Sequence, residues 1–155
     1  MRIIDILNID CIKIPLRNND KNEIIKELLN VISITHREIN TKEAFEELIE
    51  REKIETTAIG HSVAIPHARI NNLPKVYLAF GITKNGAYFD SIDDKPVKLV
   101  FLILFPAEEV RAQLSLLARL SRLLKDETLR EELMQCRSNQ SVIDVFTQYE
   151  AKHFS

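Results

Sequence analysis

The stretch "VKLVFLILF", residues 97–105, decides the fold of this chain. Apart from Lys98 it is an unbroken apolar run, and it follows the polar break "DSIDDKP". A short apolar run bounded in this way is typical of a strand that is buried on both faces. It is far shorter than the ~20 residues that a membrane span requires. We therefore expect residues 97–105 to form a central strand.

Two further strands are indicated on the N-terminal side of this one. The run "VYLAFGIT", residues 76–83, precedes the pair Asn85-Gly86, which favours a hairpin turn because both residues tolerate positive φ. The alternating segment "CIKIPL", residues 11–16, predicts a short strand. Hairpins and longer crossovers together indicate a sheet of mixed direction.

Helical periodicity dominates the rest of the chain. Apolar residues recur at helical spacing in residues 18–32, 40–53, 109–125, 126–136 and 141–154. Asp20, then Asn40 or Thr41, and Asp126 are candidate N-caps near the starts of three of these segments. In residues 109–125 we expect an apolar face that includes Val110 and Leu114. The predicted fold class is α/β, a mixed central sheet flanked by helices on both faces, with residues 1–155 as a single domain.

Composition excludes several classes of protein. With 155 residues, a net charge of −2 and a pI of about 6.1, the chain lacks the broad basic field of many nucleic-acid binders. Cys11 and Cys136 are isolated and are expected to be reduced thiols. The N-terminus lacks the apolar region of a signal peptide. We expect a soluble, cytoplasmic protein with no nucleic-acid partner and no membrane insertion.

The segment "ETTAIGHSVAIPHAR", residues 55–69, carries the candidate chemistry. It is expected to begin as a loop, with His67 exposed directly after Pro66, so that His67→Ala would leave the fold intact. His61 lies six residues earlier, which is not a usual zinc-ligand spacing, and neither a G-x-S-x-G elbow nor a glycine-rich phosphate loop occurs. No metal and no organic cofactor is implied.

Phosphoryl transfer to an imidazole requires fewer companions. One ring nitrogen must be unprotonated, the other should donate to a fixed acceptor, and a cation must hold the phosphoryl oxygens. Pro66 restricts the backbone before His67, and Arg51 and Arg69 are the available cations. From the residues alone, His67 is either such a nucleophile or a loop histidine with no special role.

The segment "REKIETTAIGHSVAIPHAR" resembles the active-site region of the phosphotransferase-system enzyme IIA domains of the fructose/mannitol type, a family that includes the nitrogen-regulatory enzyme IIA. The family pattern is an R-E pair, a T-x-I-G turn and a stretch ending in A-I-P-H. The matching residues are Arg51, Glu52, Thr57, Ile59, Gly60, Ala64, Ile65, Pro66 and His67. The similarity extends to residues 105–126 and so covers nearly the whole chain.

This resemblance implies a phosphotransferase component with a phosphohistidine intermediate. His67 would carry the phosphoryl group, Arg51 would help to hold it, and Thr57 would lie in a loop facing His67. The implied donor is the phosphocarrier protein HPr or its nitrogen-branch counterpart, and an acceptor would be a IIB domain or a regulated target protein. The family fold is a mixed sheet flanked by helices.

The chain departs from the family at one position. Many members have a second histidine where this chain has Gln113, which can donate a hydrogen bond but cannot carry charge. His61 is a second candidate for support of the phosphoryl group, against the reading that it is a solvent-facing loop residue.

Two functions therefore remain. The first is a phosphoryl carrier acting as a regulator or as a sugar-uptake component, and the lack of a membrane segment or appended transfer domain favours a stand-alone regulator. The alternative is a regulatory protein-binding module that keeps the fold and is not phosphorylated.

Overall fold

Six strands form one sheet in the computed structural model, which describes residues 1–154. The strands are β1 (Ile12–Leu16), β2 (Ala58–Gly60), β3 (Val63–Ala64), β4 (His67–Ile70), β5 (Tyr77–Ala87) and β6 (Val97–Pro106). The helices are α1 (Ile3–Ile6), α2 (Lys21–Thr35), α3 (Thr41–Ile54), α4 (Val110–Leu124), α5 (Glu127–Gln135) and α6 (Asn139–Phe154).

The sheet has mixed direction, as the sequence predicts. Its order is β1-β5-β6-β3-β2, and β4 also pairs with β6. The β5–β6 and β2–β3 pairs are antiparallel, whereas β1 runs parallel to β5, and β3 and β4 run parallel to β6. The strand predicted from residues 97–105 is therefore the central one.

The central strand β6 is buried on both faces. Alternate side chains belong to two separate cores: Leu99, Phe101, Ile103 and Phe105 to one, and Val100, Leu102 and Leu104 to the other. The first core is completed by α1, α4, α5 and α6, and the second by α2 and α3. Helices thus cover both faces of the sheet, which confirms the predicted architecture.

The predicted N-caps are present. The side chains of Asp20, Asn40 and Asp126 accept hydrogen bonds from backbone N–H groups in the first turns of α2, α3 and α5. These bonds satisfy donors that have no partner within the helix.

Two local predictions were wrong. Asn85-Gly86 is not the hairpin turn, because β5 continues to Ala87. Gly86 lies within this strand at φ +90°, where the β5–β6 register is irregular. Val110 and Leu114 are 46% and 64% exposed rather than buried. The buried stripe of α4 is centred on Leu116 and Leu120. Leu114, two residues before Leu116, is rotated about 160° from it at ~100° per residue.

The short helix α1 has no strong sequence signal, and a buried carboxylate holds it. Glu150 on α6 accepts hydrogen bonds from the backbone N–H groups of Ile3 and Ile4 at 2.8 and 3.1 Å, and from Arg119 at 2.7 Å. Among residues 1–154, every helix is too short or too polar to cross a bilayer.

Truncation of Phe101 should destabilise the protein strongly. Its ring is fully buried and packs against Phe80 and Phe146, with centroids 4.7 and 6.0 Å away. We expect Phe101→Ala to lower the free energy of unfolding by about 3–5 kcal/mol, because a cavity replaces the ring. Ile34→Ala, at a side chain that is 66% exposed, should change it by less than about 0.5 kcal/mol. Urea denaturation measures both, and similar losses for the two variants would contradict this assignment of the core.

Candidate functional site

His67 lies at the edge of the sheet, in an open depression of about 490 Å³ between α3 and the start of α4. The residues that line it come from α3, from β4 and the residue that follows it, and from the start of α4 and the turn before it: Glu43, Glu47, Glu50, Arg51, Ile54, His67, Ala68, Arg69, Asn71, Ala107 and Gln113. His67, Arg51 and Gln113, which are distant in sequence, are therefore brought together.

His67 follows an interruption between the short strands β3 and β4, which both pair with β6. The register on β6 is Val63 to Leu99 in β3 and His67 to Ile103 in β4, so the same offset holds on both sides of the break. Pro66 has no N–H to donate, but its carbonyl accepts from Ile103 at 3.0 Å. Ile65 instead donates its N–H to the Thr57 carbonyl at 3.0 Å. The chain resumes pairing at His67.

The imidazole of His67 is held in one tautomer. Its Nδ1 lies 2.7 Å from the Ile65 carbonyl oxygen, which can only accept, so Nδ1 carries the proton. The Phe105 ring contacts the imidazole edge-on, with centroids 6.3 Å apart. Nε2 therefore has the free lone pair, which is the arrangement that a nucleophilic histidine needs.

The surroundings keep this ring neutral. Burial lowers the pKa of His67, and the nearby positive charge of Arg51 acts in the same direction. The hydrogen bond to Ile65 and the charge of Glu52 raise the pKa, but the net shift is downward. At neutral pH, Nε2 is consequently unprotonated and able to attack an electrophile.

The expectation of an exposed loop around His67 was wrong. Residues 58–70 contain three short strands, and His67 begins the third with only 9% of its surface exposed. The reason is that β3 and β4 pair with β6, far away in sequence, so local signals do not reveal them. His67→Ala would leave a small cavity beside Phe105 rather than change an exposed side chain.

Arg51 and Gln113 offer donors on either side of His67. One guanidinium nitrogen of Arg51 donates to the Glu55 carbonyl at 2.8 Å, which fixes the side chain at the end of α3 and leaves other N–H groups for a ligand. The amide of Gln113 is turned inward, and within residues 1–154 its buried Oε1 has no hydrogen-bond partner. This oxygen can only accept a hydrogen bond, so the Nε2–H groups of the same amide are what Gln113 can offer to an anionic ligand.

Thr57 and His61 both lie outside the His67 depression: Thr57 does not face His67 as expected, whereas His61 is an exposed turn residue, one of the two readings of the sequence. Thr57 is 3% exposed and is absent from the lining of the depression; its hydroxyl donates to the Glu52 carboxylate. His61, at φ +56°, lies in a separate depression with Asp93 and Arg130. His61 is separated from His67 because the turn after β2 lies beyond β3, and the Thr57 side chain is directed to Glu52 instead.

Glu52 is the residue whose role was missed. It matches the family's R-E pair, yet a charged residue near the end of a polar helix gives no signal of burial. In the structure it is 8% exposed and forms a salt bridge with Lys21 of α2 at 2.8 Å. The pairing partner is distant in sequence, so neither residue could be identified without the fold.

Comparison with known proteins agrees with this geometry. The sequence model of the family described as "Phosphoenolpyruvate-dependent sugar phosphotransferase system, EIIA 2" matches residues 5–149. The chain is 36% identical over 146 residues to a nitrogen regulatory protein of Bradyrhizobium diazoefficiens, covering 94% of each. It is 32% identical to the fructose-specific EIIABC component of Bacillus subtilis, covering 97% of this chain and only 24% of that protein.

Solved structures give the same result. The nitrogen regulatory protein IIA-Ntr from Neisseria meningitidis superposes with a TM-score of 0.87 and 29% identity, covering 93% of this chain and 98% of that one. The complex of enzyme IIA and phosphorylated enzyme IIB for mannitol from Escherichia coli matches with a TM-score of 0.74 and 20% identity, covering 90% and 95%. The second likeness is one of fold.

Stability should depend on pH through His67. Because its pKa is lowered on folding, the unfolded chain takes up this proton first as the pH falls below about 6.5. The unfolded state then binds more protons, so the free energy of unfolding decreases with falling pH in that range and is unaffected by His67 above it. Urea denaturation across about pH 5 to 8 should give a shallower acid-side slope for His67→Gln than for the unmodified chain. Equal slopes would show that the folded state does not disfavour the imidazolium.

Proposed function

This chain belongs to the phosphoenolpyruvate-dependent sugar phosphotransferase system EIIA 2 family, and from that membership we propose that it is a phosphoryl carrier that accepts its phosphoryl group on Nε2 of His67. The observation that carries the proposal is the 2.7 Å hydrogen bond from Nδ1 to the Ile65 carbonyl, which directs the free lone pair to Nε2. We further propose that residues 1–155 act as one EIIA domain, in the cytoplasm.

The transfer step follows from this tautomer. Nε2 of His67 attacks the phosphorus of a phosphohistidine donor, a new N–P bond forms, and the donor's N–P bond breaks with its electron pair returning to the donor ring. The Nδ1 proton of His67 stays in its hydrogen bond to Ile65. The donor departs as a neutral imidazole when its other ring nitrogen carries a proton. Catalysis of such a transfer depends mainly on positioning and on stabilisation of charge.

Two side chains are proposed to hold the phosphoryl oxygens. Arg51 supplies positive charge and N–H donors at the end of α3, and it lines the same depression as His67. Gln113 supplies a neutral amide from α4 that lines the same depression, and its Nε2–H groups are the donors it can offer to a phosphoryl oxygen. Thr57 and His61 are not proposed to contact the phosphoryl group, because their side chains lie outside the depression.

The surface around the depression fits a protein partner. Ile54 and Leu114 are 82% and 64% exposed, and Val110 is 46% exposed, on the two helices that flank His67. Isolated exposed apolar residues are ordinary, but Ile54 lines the depression itself and the other two lie on the helix that contributes Gln113, which favours docking by another protein. We propose that the donor is an HPr-like phosphocarrier. The mannitol enzyme IIA has been solved with phosphorylated IIB, and we propose a IIB domain or a regulated target protein as the acceptor here.

The charge of the depression suits a protein whose partners distinguish its phosphorylated from its unphosphorylated state. Such a protein is either a regulator or a sugar-uptake component. Three glutamates, Glu43, Glu47 and Glu50, line it together with Arg51 and Arg69. A phosphoryl group would add to this negative charge at the centre of the docking surface, so a partner can distinguish the two states.

The alternative is a binding module that keeps the fold without phosphorylation. It is favoured by Gln113, which can neither carry charge nor move a proton, and by the exposed Ile54 and Leu114. Such a module would not need the fixed tautomer of His67, which is why we place the phosphoryl carrier first.

Phosphorylation can be measured directly. Incubation with phosphoenolpyruvate, enzyme I and an HPr-like phosphocarrier should add one acid-labile phosphoryl group, seen by intact mass under neutral conditions. His67→Gln should remove it, whereas His61→Gln should retain it. Absence of phosphate on the unmodified chain, with a donor proven active on another enzyme IIA, would favour the binding module instead.

Arg51 should matter for the rate of transfer. Loss of its charge beside the transferred group should slow phosphorylation by about 10- to 100-fold in Arg51→Gln, since a charge-assisted contact contributes roughly 1.5–3 kcal/mol. Lys53→Gln, at an exposed cation two residues away that pairs with Glu50, is the matched control and should stay within about twofold. Equal rates for the two variants in a quenched-flow assay would exclude Arg51 from the transfer site.

A further inference from the structure

The Glu52 carboxylate is buried directly behind the site. It accepts a salt bridge from Lys21 at 2.8 Å, a hydrogen bond from the Thr57 N–H at 3.2 Å and another from the Thr57 hydroxyl. It does not belong to the lining of the His67 depression. Burial of a carboxylate is costly unless it is paired and hydrogen-bonded, and here three donors compensate the cost.

A short chain of hydrogen bonds connects this carboxylate to the reactive imidazole. Glu52 fixes the backbone and side chain of Thr57. The Thr57 carbonyl accepts the Ile65 N–H at 3.0 Å, and the Ile65 carbonyl accepts Nδ1 of His67 at 2.7 Å. Because Pro66 cannot donate, the Ile65 N–H is the nearest backbone donor before His67 on this segment.

We propose that Glu52, held by Lys21, is a positioning residue that sets the tautomer and direction of the His67 ring through Thr57 and Ile65. The inference rests on the proposed function in one respect: the tautomer matters because Nε2 is the atom that accepts the phosphoryl group. A displacement of Thr57 would shift the Ile65 carbonyl, weaken its bond to Nδ1, and release the competing tautomer with the proton on Nε2. That tautomer has no lone pair with which to attack.

A merely structural role for Glu52 predicts a different result. The salt bridge to Lys21 joins α2 to the end of α3, so its loss would lower stability in either case. Glu52 also acts on the ring through its charge, which raises the pKa of His67. A positioning role is therefore shown by a change of tautomer in a variant that keeps this charge and removes only the bond to Thr57. The test therefore requires a readout of the ring itself.

The ring nitrogens can be observed by nuclear magnetic resonance. In protein labelled with ¹⁵N-histidine, long-range ¹H–¹⁵N correlation at about pH 8 distinguishes a protonated nitrogen from an unprotonated one in neutral imidazole. The unmodified chain should show His67 almost wholly with the proton on Nδ1. In Glu52→Gln the ratio of the two tautomers should move about tenfold toward the proton on Nε2, the change expected from loss of one hydrogen bond of roughly 1–1.5 kcal/mol.

Three further variants make the experiment decisive. Thr57→Val removes only the hydroxyl bond to Glu52 and should move the tautomer ratio in the same direction. Thr57→Ser keeps a hydroxyl and should have the same ratio as the unmodified chain. Glu46→Gln, at an exposed position on the same helix, should leave the ratio unchanged. If Glu52→Gln fails to fold, the Thr57 pair decides the question.

The outcomes separate this inference from the proposed function. A shift in the Glu52 and Thr57→Val variants, accompanied by an approximately matching fall in the rate of phosphorylation, supports the positioning role. Cooperatively folded variants whose tautomer ratio equals that of the unmodified chain would overturn it, even if they are less stable. Failure of the unmodified chain to accept phosphate would contradict the proposed function while leaving the comparison of tautomers valid.

Discussion

The register of β3 and β4 on the central strand β6 is the constraint on which the site depends. Both short strands run parallel to β6 with the same offset, and the interval between them is Ile65-Pro66. The interruption frees the Ile65 carbonyl from the ladder and turns it toward Nδ1 of His67. A parallel pairing of this kind requires the burial that β6 provides on both faces. The core thus determines where the reactive nitrogen points.

The chemistry follows from the combination of burial and charge. Burial disfavours the imidazolium and keeps His67 neutral. Arg51 lines the same depression and supplies a positive charge that attracts an anionic group. The glutamates of α3 line the same depression and repel a phosphoryl group, which offsets part of its attraction to the arginines. The phosphoryl group is therefore held only moderately tightly. This balance suits a carrier, which must release the group as well as accept it.

Much of the architecture could be predicted from sequence, and the missing parts share a physical cause. The run at residues 97–105, the caps at Asp20, Asn40 and Asp126 and most of the helical stripes are local patterns, and they appear in the structure. The start of α4 is the exception, because Val110 and Leu114 are exposed. The family motif also identified His67, Arg51 and Gln113, which the fold brings to one depression. The strands around His67 were missed because they have two to four residues each and pair with residues 36 positions away. Glu52 was missed because its burial depends on Lys21, which belongs to another helix.

The most direct test of this account is to determine which nitrogen of His67 receives the phosphoryl group. Protein labelled with ¹⁵N-histidine would be phosphorylated through the phosphocarrier and examined by ³¹P–¹⁵N and ¹H–¹⁵N correlation. The account predicts the phosphorus on Nε2, with the proton of Nδ1 still bound toward the Ile65 carbonyl. Phosphorus on Nδ1, or on a residue other than His67, would contradict it, because the hydrogen bond that organises the site would then have to break for transfer to occur.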